Sequence, residues 1–139
     1  MDTRLVAAAA VLVVAGAAAC SPPPAALGGT TAKVTINGKS TGGPHAVQCS
    51  QSGWTWRIKT PDEAKGFTAD LGTGDKVTVE SVDFRDFGGF TGTFWQGNLG
   101  EAEVTGSGGK FTISGSADGS FSDNPSNEVT ATFRIEATC

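Results

Sequence analysis

The sequence has no tyrosine, one histidine, one methionine and three cysteines in 139 residues. A catalytic relay needs a histidine beside a nucleophile and an orienting acid. The single His45 follows Gly42-Gly43-Pro44 with no Ser or Cys signature nearby, and it reads as a surface loop residue. Structural zinc sites draw on four Cys or His ligands, so neither a metal nor a cofactor is expected. There is no Cys-x-x-Cys pair for redox catalysis. No Asn-x-Ser/Thr acceptor occurs, since Asn124 is followed by Pro125. Ten Lys and Arg stand against 14 Asp and Glu, for a net charge of −4. A phosphate-backbone binder needs clustered cations, which excludes nucleic acid as a partner.

The acids offer little chemistry. Glu101 and Glu103 share one strand face and have the residue types of a glycosidase pair, but on an exposed strand they read as solvating charge. Asp83 and Asp86 flank Arg85. Asp118, Asp123 and Asn124 resemble a calcium loop only loosely, lacking its glycine spacing and terminal bidentate Glu. Gly106-Ser-Gly-Gly109 precedes a strand pattern and no Lys-Ser/Thr follows, so it reads as a hairpin turn instead of a phosphate loop. No catalytic residue is expected, and the chain does not read as an enzyme.

What is present begins at the N-terminus. Leu5–Ala19 is apolar apart from Gly16. It is short for a bilayer span, which needs about 20 residues, and has the form of a secretory h-region ending in small residues. Ala17-Ala-Ala-Cys20 resembles a bacterial lipobox, with Ala17 where Leu is usual, so Cys20 is the expected lipid acceptor. The alternatives are an N-terminal membrane helix, or ordinary cleavage after an Ala-x-Ala site leaving Cys20 free. Ser21–Ala32, with three consecutive prolines and no charge, reads as an extended tether. The division is thus a signal peptide at 1–19, a lipidated Cys and tether at 20–32, and a domain at 33–139. The expected location is the extracytoplasmic face of the cell membrane or envelope.

About a third of the residues after Ala19 are apolar, and from Lys33 they recur with period two. Val34 and Ile36 lead into Asn37-Gly38, a strong short hairpin signal. Val47 and Cys49, then Trp54, Trp56 and Ile58, then Phe67, Ala69 and Leu71 continue the alternation. Val77 and Val79 share a parity that Val82 and Phe84 reverse, predicting a bulge near Glu80-Ser81. Phe94, Ala102, Val104, Phe111 and Ile113 mark three further strands, and Val129–Ala137 forms the longest alternation. Thr60-Pro-Asp-Glu63 has the form of a helical capping box, limited to one turn by Gly66. The fold class is all-β, an antiparallel β-sandwich or partly open barrel with at most one short helical turn.

With Cys20 assigned to lipid, Cys49 and Cys139 remain, both at inward parity. Outside the cytoplasm such a pair is expected to be oxidised; the alternative is two buried free thiols. The aromatics cluster in Asp83-Phe-Arg-Asp-Phe-Gly-Gly-Phe90 and Thr93-Phe-Trp95. Core packing is one reading of the cluster. The other is that Phe87, Phe90 and Trp95, near glycines, form a patch contacting an apolar or glycan ligand. Trp54 and Trp56 share a parity and are both expected to contact the core.

Lys33-Val-Thr-Ile-Asn-Gly-Lys39, Val47-Gln-Cys49, Gly108-Gly-Lys-Phe-Thr-Ile-Ser-Gly-Ser-Ala117 and Phe133-Arg-Ile-Glu-Ala-Thr-Cys139 occur in that order behind Cys20. Together they resemble the mycobacterial 19-kilodalton lipoprotein antigen family, the LpqH/LppE group. The resemblance implies a surface lipoprotein of the mycobacterial envelope, held to the membrane by its lipid anchor and with no established enzymatic activity. It further implies an antigen whose acylated N-terminus engages a host receptor, Toll-like receptor 2. A role in carrying a lipid or glycan ligand is the alternative it leaves open.

Overall fold

The alternation becomes eleven strands in a computed structural model that describes residues 30–139. In chain order they are β1 (Thr31–Ile36), β2 (Lys39–Ser40), β3 (His45–Ala46), β4 (Gln48–Ser52) and β5 (Thr55–Lys59). There follow β6 (Gly66–Thr73), β7 (Val77–Phe87), β8 (Phe90–Trp95), β9 (Glu101–Ser107), β10 (Lys110–Phe121) and β11 (Val129–Thr138). All pairings are antiparallel, in the order β2-β1-β11-β10-β8-β7-β6-β5-β4, with β3 on β1 and β9 on β10. The sheet curls into a half-barrel, so of the two all-β architectures expected, the partly open barrel is the one formed.

Local sequence explains the main turns. Asn37 and Gly38 both have positive φ, 52° and 77°, as a two-residue type I′ hairpin requires. The Asn37 side chain also accepts the Thr132 N–H at 3.0 Å, extending the β1–β11 ladder past the turn. The bulge forms at Glu80, because Asp70 pairs with Ser81 while Leu71 pairs with Val79. It lets Val79 and Val82 both face the core, which strict alternation forbids.

Thr60–Glu63 departs from expectation, since no helix forms among the described residues. The Thr60 hydroxyl is buried and accepts the Phe67 N–H at 3.0 Å, bridging the ends of β5 and β6. Gly66 permits this approach, since a Cβ there would clash with the Thr60 hydroxyl oxygen. Asp62 then caps its own turn by accepting the Ala64 N–H at 2.9 Å. A hydroxyl committed to the sheet is not free to cap a helix.

Two features set how far the barrel closes. His45–Ser52 pairs first with β1 and then with β5, bending at buried Val47. At this corner the Val47 N–H donates to the Thr30 carbonyl, and the Thr30 hydroxyl donates back to the Val47 carbonyl. On the far side, one edge of β10 is shared: β9 takes Lys110–Ser116 and β8 takes Asp118–Phe121. Beyond Trp95 the β7 and β9 edges have no ladder between them, which leaves a barrel with a split wall.

Candidate functional site

The aromatic cluster fills the interior. Phe67, Phe84 and Phe90 are fully buried and Phe87 nearly so. Phe84 sits at the centre, with ring centroids 5.3 Å from Phe133, 5.9 Å from Phe90 and 6.4 Å from Phe67. Phe87 packs edge-on to Phe67 at 5.6 Å, and Phe90 meets Phe121 at 5.1 Å. Trp95 lies on the other face of the sheet with 58% of its surface exposed. In β8, Phe90, Gly92 and Phe94 point inward, so the period-two rule sends Trp95 out. Phe87, Phe90 and Trp95 therefore share no wall, and the open aromatic groove read from the sequence is not formed.

The two remaining tryptophans also separate. Trp56 is half-buried against Phe111, with centroids 5.8 Å apart. Trp54 is 76% exposed. Strand parity places it with Trp56, but it belongs to the turn before β5. The preceding Ser52-Gly53 was the sequence signal that the alternation had not yet begun.

Cys49 and Cys139 form a disulfide, Cα atoms 5.9 Å apart, across 90 residues. The bridge joins β4 to the end of β11, beside the Thr30–Val47 corner. The Cys139 N–H also donates to the Gly109 carbonyl, so the chain end is held by both backbone and side chain. Cys20, the expected signal segment and most of the expected tether lie outside the described residues. Strand β1 starts at Thr31, two positions ahead of the expected boundary at Lys33.

The polar candidates do not converge. Asp83 accepts the Thr93 hydroxyl at 3.1 Å and an Arg85 N–H at 2.8 Å. Arg85 also donates to the Glu63 carbonyl and the Thr68 hydroxyl, tying the loop before β6 to β7. Asp118 accepts the Thr130 hydroxyl across the β10–β11 pair. Asp86 lies 3.6 Å from Lys65. Glu101 and Glu103 are exposed beside a shallow depression of about 330 Å³ with Ala102, Ser114 and Gly115. Among the described residues, no three His, Cys, Asp or Glu side chains are grouped to hold a metal.

His45 is less of a surface residue than expected. Its ring lies 4.7 Å from Phe87, and Nε2 is 2.9 Å from the Thr41 hydroxyl. Burial lowers its pKa from the ordinary value near 6.5, because desolvation disfavours the imidazolium. Near the chain entry, a saddle of about 550 Å³ on the outer face is lined by Thr31, Lys33, Lys110, Thr112, Glu136 and Thr138. It is polar and shallow, unlike an apolar ligand cleft.

The arrangement is a disulfide-closed barrel with an aromatic interior, in which Asp83, Arg85 and Asp118 are hydrogen-bonded to neighbouring side chains. A family model of the Mycobacterium 19 kDa lipoprotein antigen matches residues 25–139. The chain belongs to that family. A lipoprotein of Mycobacterium indicus pranii is 40% identical over 111 residues, covering 79% of this chain and 79% of the relative. The lipoprotein LppE of Mycobacterium tuberculosis is 34% identical over 110 residues, 78% of this chain and 77% of the relative. Lipoprotein LpqH of Mycobacterium bovis is 33% identical over 108 residues, 77% and 68% respectively. These names are those of lipoproteins, and the 19 kDa family is one of antigens, not enzymes. Membership makes this chain a mycobacterial lipoprotein.

Proposed function

We propose that the protein is an exported, lipid-anchored display domain, acylated at Cys20 and held off the membrane by residues 21–29. The observation that carries this reading is the filled barrel. Its aromatics pack on one another and its acids are paired or solvated, so among the described residues no group of polar side chains converges as a reaction centre would need. By family resemblance, the acylated N-terminus acts as a Toll-like receptor 2 agonist. A ligand carrier built on Phe87, Phe90 and Trp95 needs those rings on one accessible wall, and two of them are core.

Intact mass of protein purified from envelope tests the proposal. The expected species begins at Cys20 and carries diacylglycerol. A chain that retains Met1, or has an unmodified Cys20, overturns it. In receptor reporter cells, Cys20→Ala is expected to abolish stimulation while leaving the Cys49–Cys139 bridge intact. Undiminished stimulation by that variant overturns the receptor part alone.

A further inference from the structure

Among the described residues Trp54 is the most exposed large apolar side chain. The fold makes no use of its indole yet fixes its backbone. The Thr73 N–H and hydroxyl both donate to the Trp54 carbonyl, at 2.7 and 3.0 Å. A large apolar ring on a pinned turn is a presented group, and leaving it in water forgoes the stabilisation that burial gives.

Its place in the fold says what covers it. The antiparallel register puts the Trp54 turn at the barrel end shared by Thr30, Gly74-Asp75-Lys76, Gly108-Gly109 and Cys139. That is the end at which the chain enters from Cys20. The opposite end carries Asn37-Gly38, Thr60–Lys65, Gly88-Gly89 and Ser122–Glu128. Near Trp54 the turns and the start of β10 hold Asp75 against Lys76 and Lys110, while the far end holds Asp62, Glu63, Asp86, Asp123 and Glu128 against Lys39, Lys59, Lys65 and Arg85. The Trp54 end thus carries no excess of negative charge.

We infer that Trp54 is an interfacial foot, its indole seated in the headgroup region of the membrane that holds the anchor. This rests on the lipid-anchored reading above. Residues 20–29, fully extended, span at most roughly 35 Å, so the Trp54 end stays within a few nanometres of the bilayer. Contact is then intramolecular, with an effective concentration in the millimolar range, and one weak anchor suffices to orient the domain. Tryptophan suits the task, since its apolar body and N–H tip favour the membrane–water boundary. The Trp54 end has no excess of acids, which avoids repulsion from anionic lipid.

The test uses full-length lipidated protein in phosphatidylcholine–phosphatidylglycerol vesicles, with and without bromine on the acyl chains. Bromine-dependent quenching is expected in the wild type and in Trp95→Phe, and its loss in Trp54→Phe. Equal quenching in wild type and Trp54→Phe, or none in any of them, overturns the inference. Shielding of Trp54 from aqueous acrylamide without bromine quenching indicates a protein partner and also overturns it. A chain that carries no lipid or does not float with the vesicles removes the anchor and this inference together. A chain that floats while Trp54 stays unquenched removes this inference alone.

Discussion

The two ends of the barrel are held by different physics. At the end away from the chain entry, Phe84, Phe87, Phe90, Phe121 and Phe133 interlock. At the entry end the buried side chains are mostly small, Ala32, Val47 and Ala137 beside Phe111, with Trp56, Val77 and Val104 only partly buried, and the Cys49–Cys139 bridge adds a covalent closure. A lean chain concentrates its aromatics where they can contact one another. Elsewhere it limits the unfolded state with a covalent link. Dispersion and burial act on the folded state at one end, while loop closure acts on the unfolded state at the other.

The largest expected effect is at the aromatic end. Phe84→Ala removes a fully buried ring touching four others, and a loss of about 3–5 kcal/mol is expected in denaturant unfolding. A loss under about 1 kcal/mol would mean this end is not the main core. Next is the bridge. Replacing Cys49 and Cys139 together by Ser is expected to cost about 2–4 kcal/mol. Amide exchange should then rise first in β4, the start of β1 and the end of β11. Uniform acceleration over the whole chain would erase the distinction between the ends.

Thr60→Val keeps the shape but strands the buried Phe67 N–H, at a cost of about 1–3 kcal/mol; an unchanged midpoint would show that water replaces the hydroxyl. His45 gives a smaller, pH-dependent effect. Its folded pKa lies below the unfolded one, so the unfolded chain binds the proton more readily. Stability is therefore full above the ordinary value near 6.5 and declines as pH falls below it. His45→Asn should flatten that part of the profile, as read by thermal unfolding between neutral and mildly acidic pH. Smallest is Trp54→Ser, expected to shift stability by no more than about 0.5 kcal/mol. Trp56→Ser, which removes the Phe111 contact, should cost more, and equal costs would deny that the two tryptophans differ.

How much was legible follows from the range of the interactions. The Asn37-Gly38 hairpin, the Glu80 bulge and the inward parity of Cys49 and Cys139 rest on period two and on turn chemistry, which act over a few residues. Phe87, Phe90 and Trp95 looked like one patch because they are close in sequence. Phe90 and Trp95, five apart in one strand, fall on opposite faces by period two alone. That Phe87 and Phe90 are the inward pair depends on how β8 pairs with β7 and β10. Thr60 looked like a helix cap because the motif is local, whereas its partner, the Phe67 N–H, arrives only when β5 and β6 pair. His45 gained its tilted ring contact from Phe87, far along the chain.

By itself the sequence determined the strand alternation, the closing cysteine pair, the shortage of catalytic groups and the residues that carry the family resemblance. These depend on composition, spacing and side-chain parity, which need no knowledge of neighbours. The tertiary structure alone decided that the sheet curls into a split barrel instead of a sandwich and that the phenylalanines fill it. It also decided that Trp54 stands exposed at the end where the chain enters. Strand order and register bring distant segments together, and burial is a property of that meeting, not of any one segment.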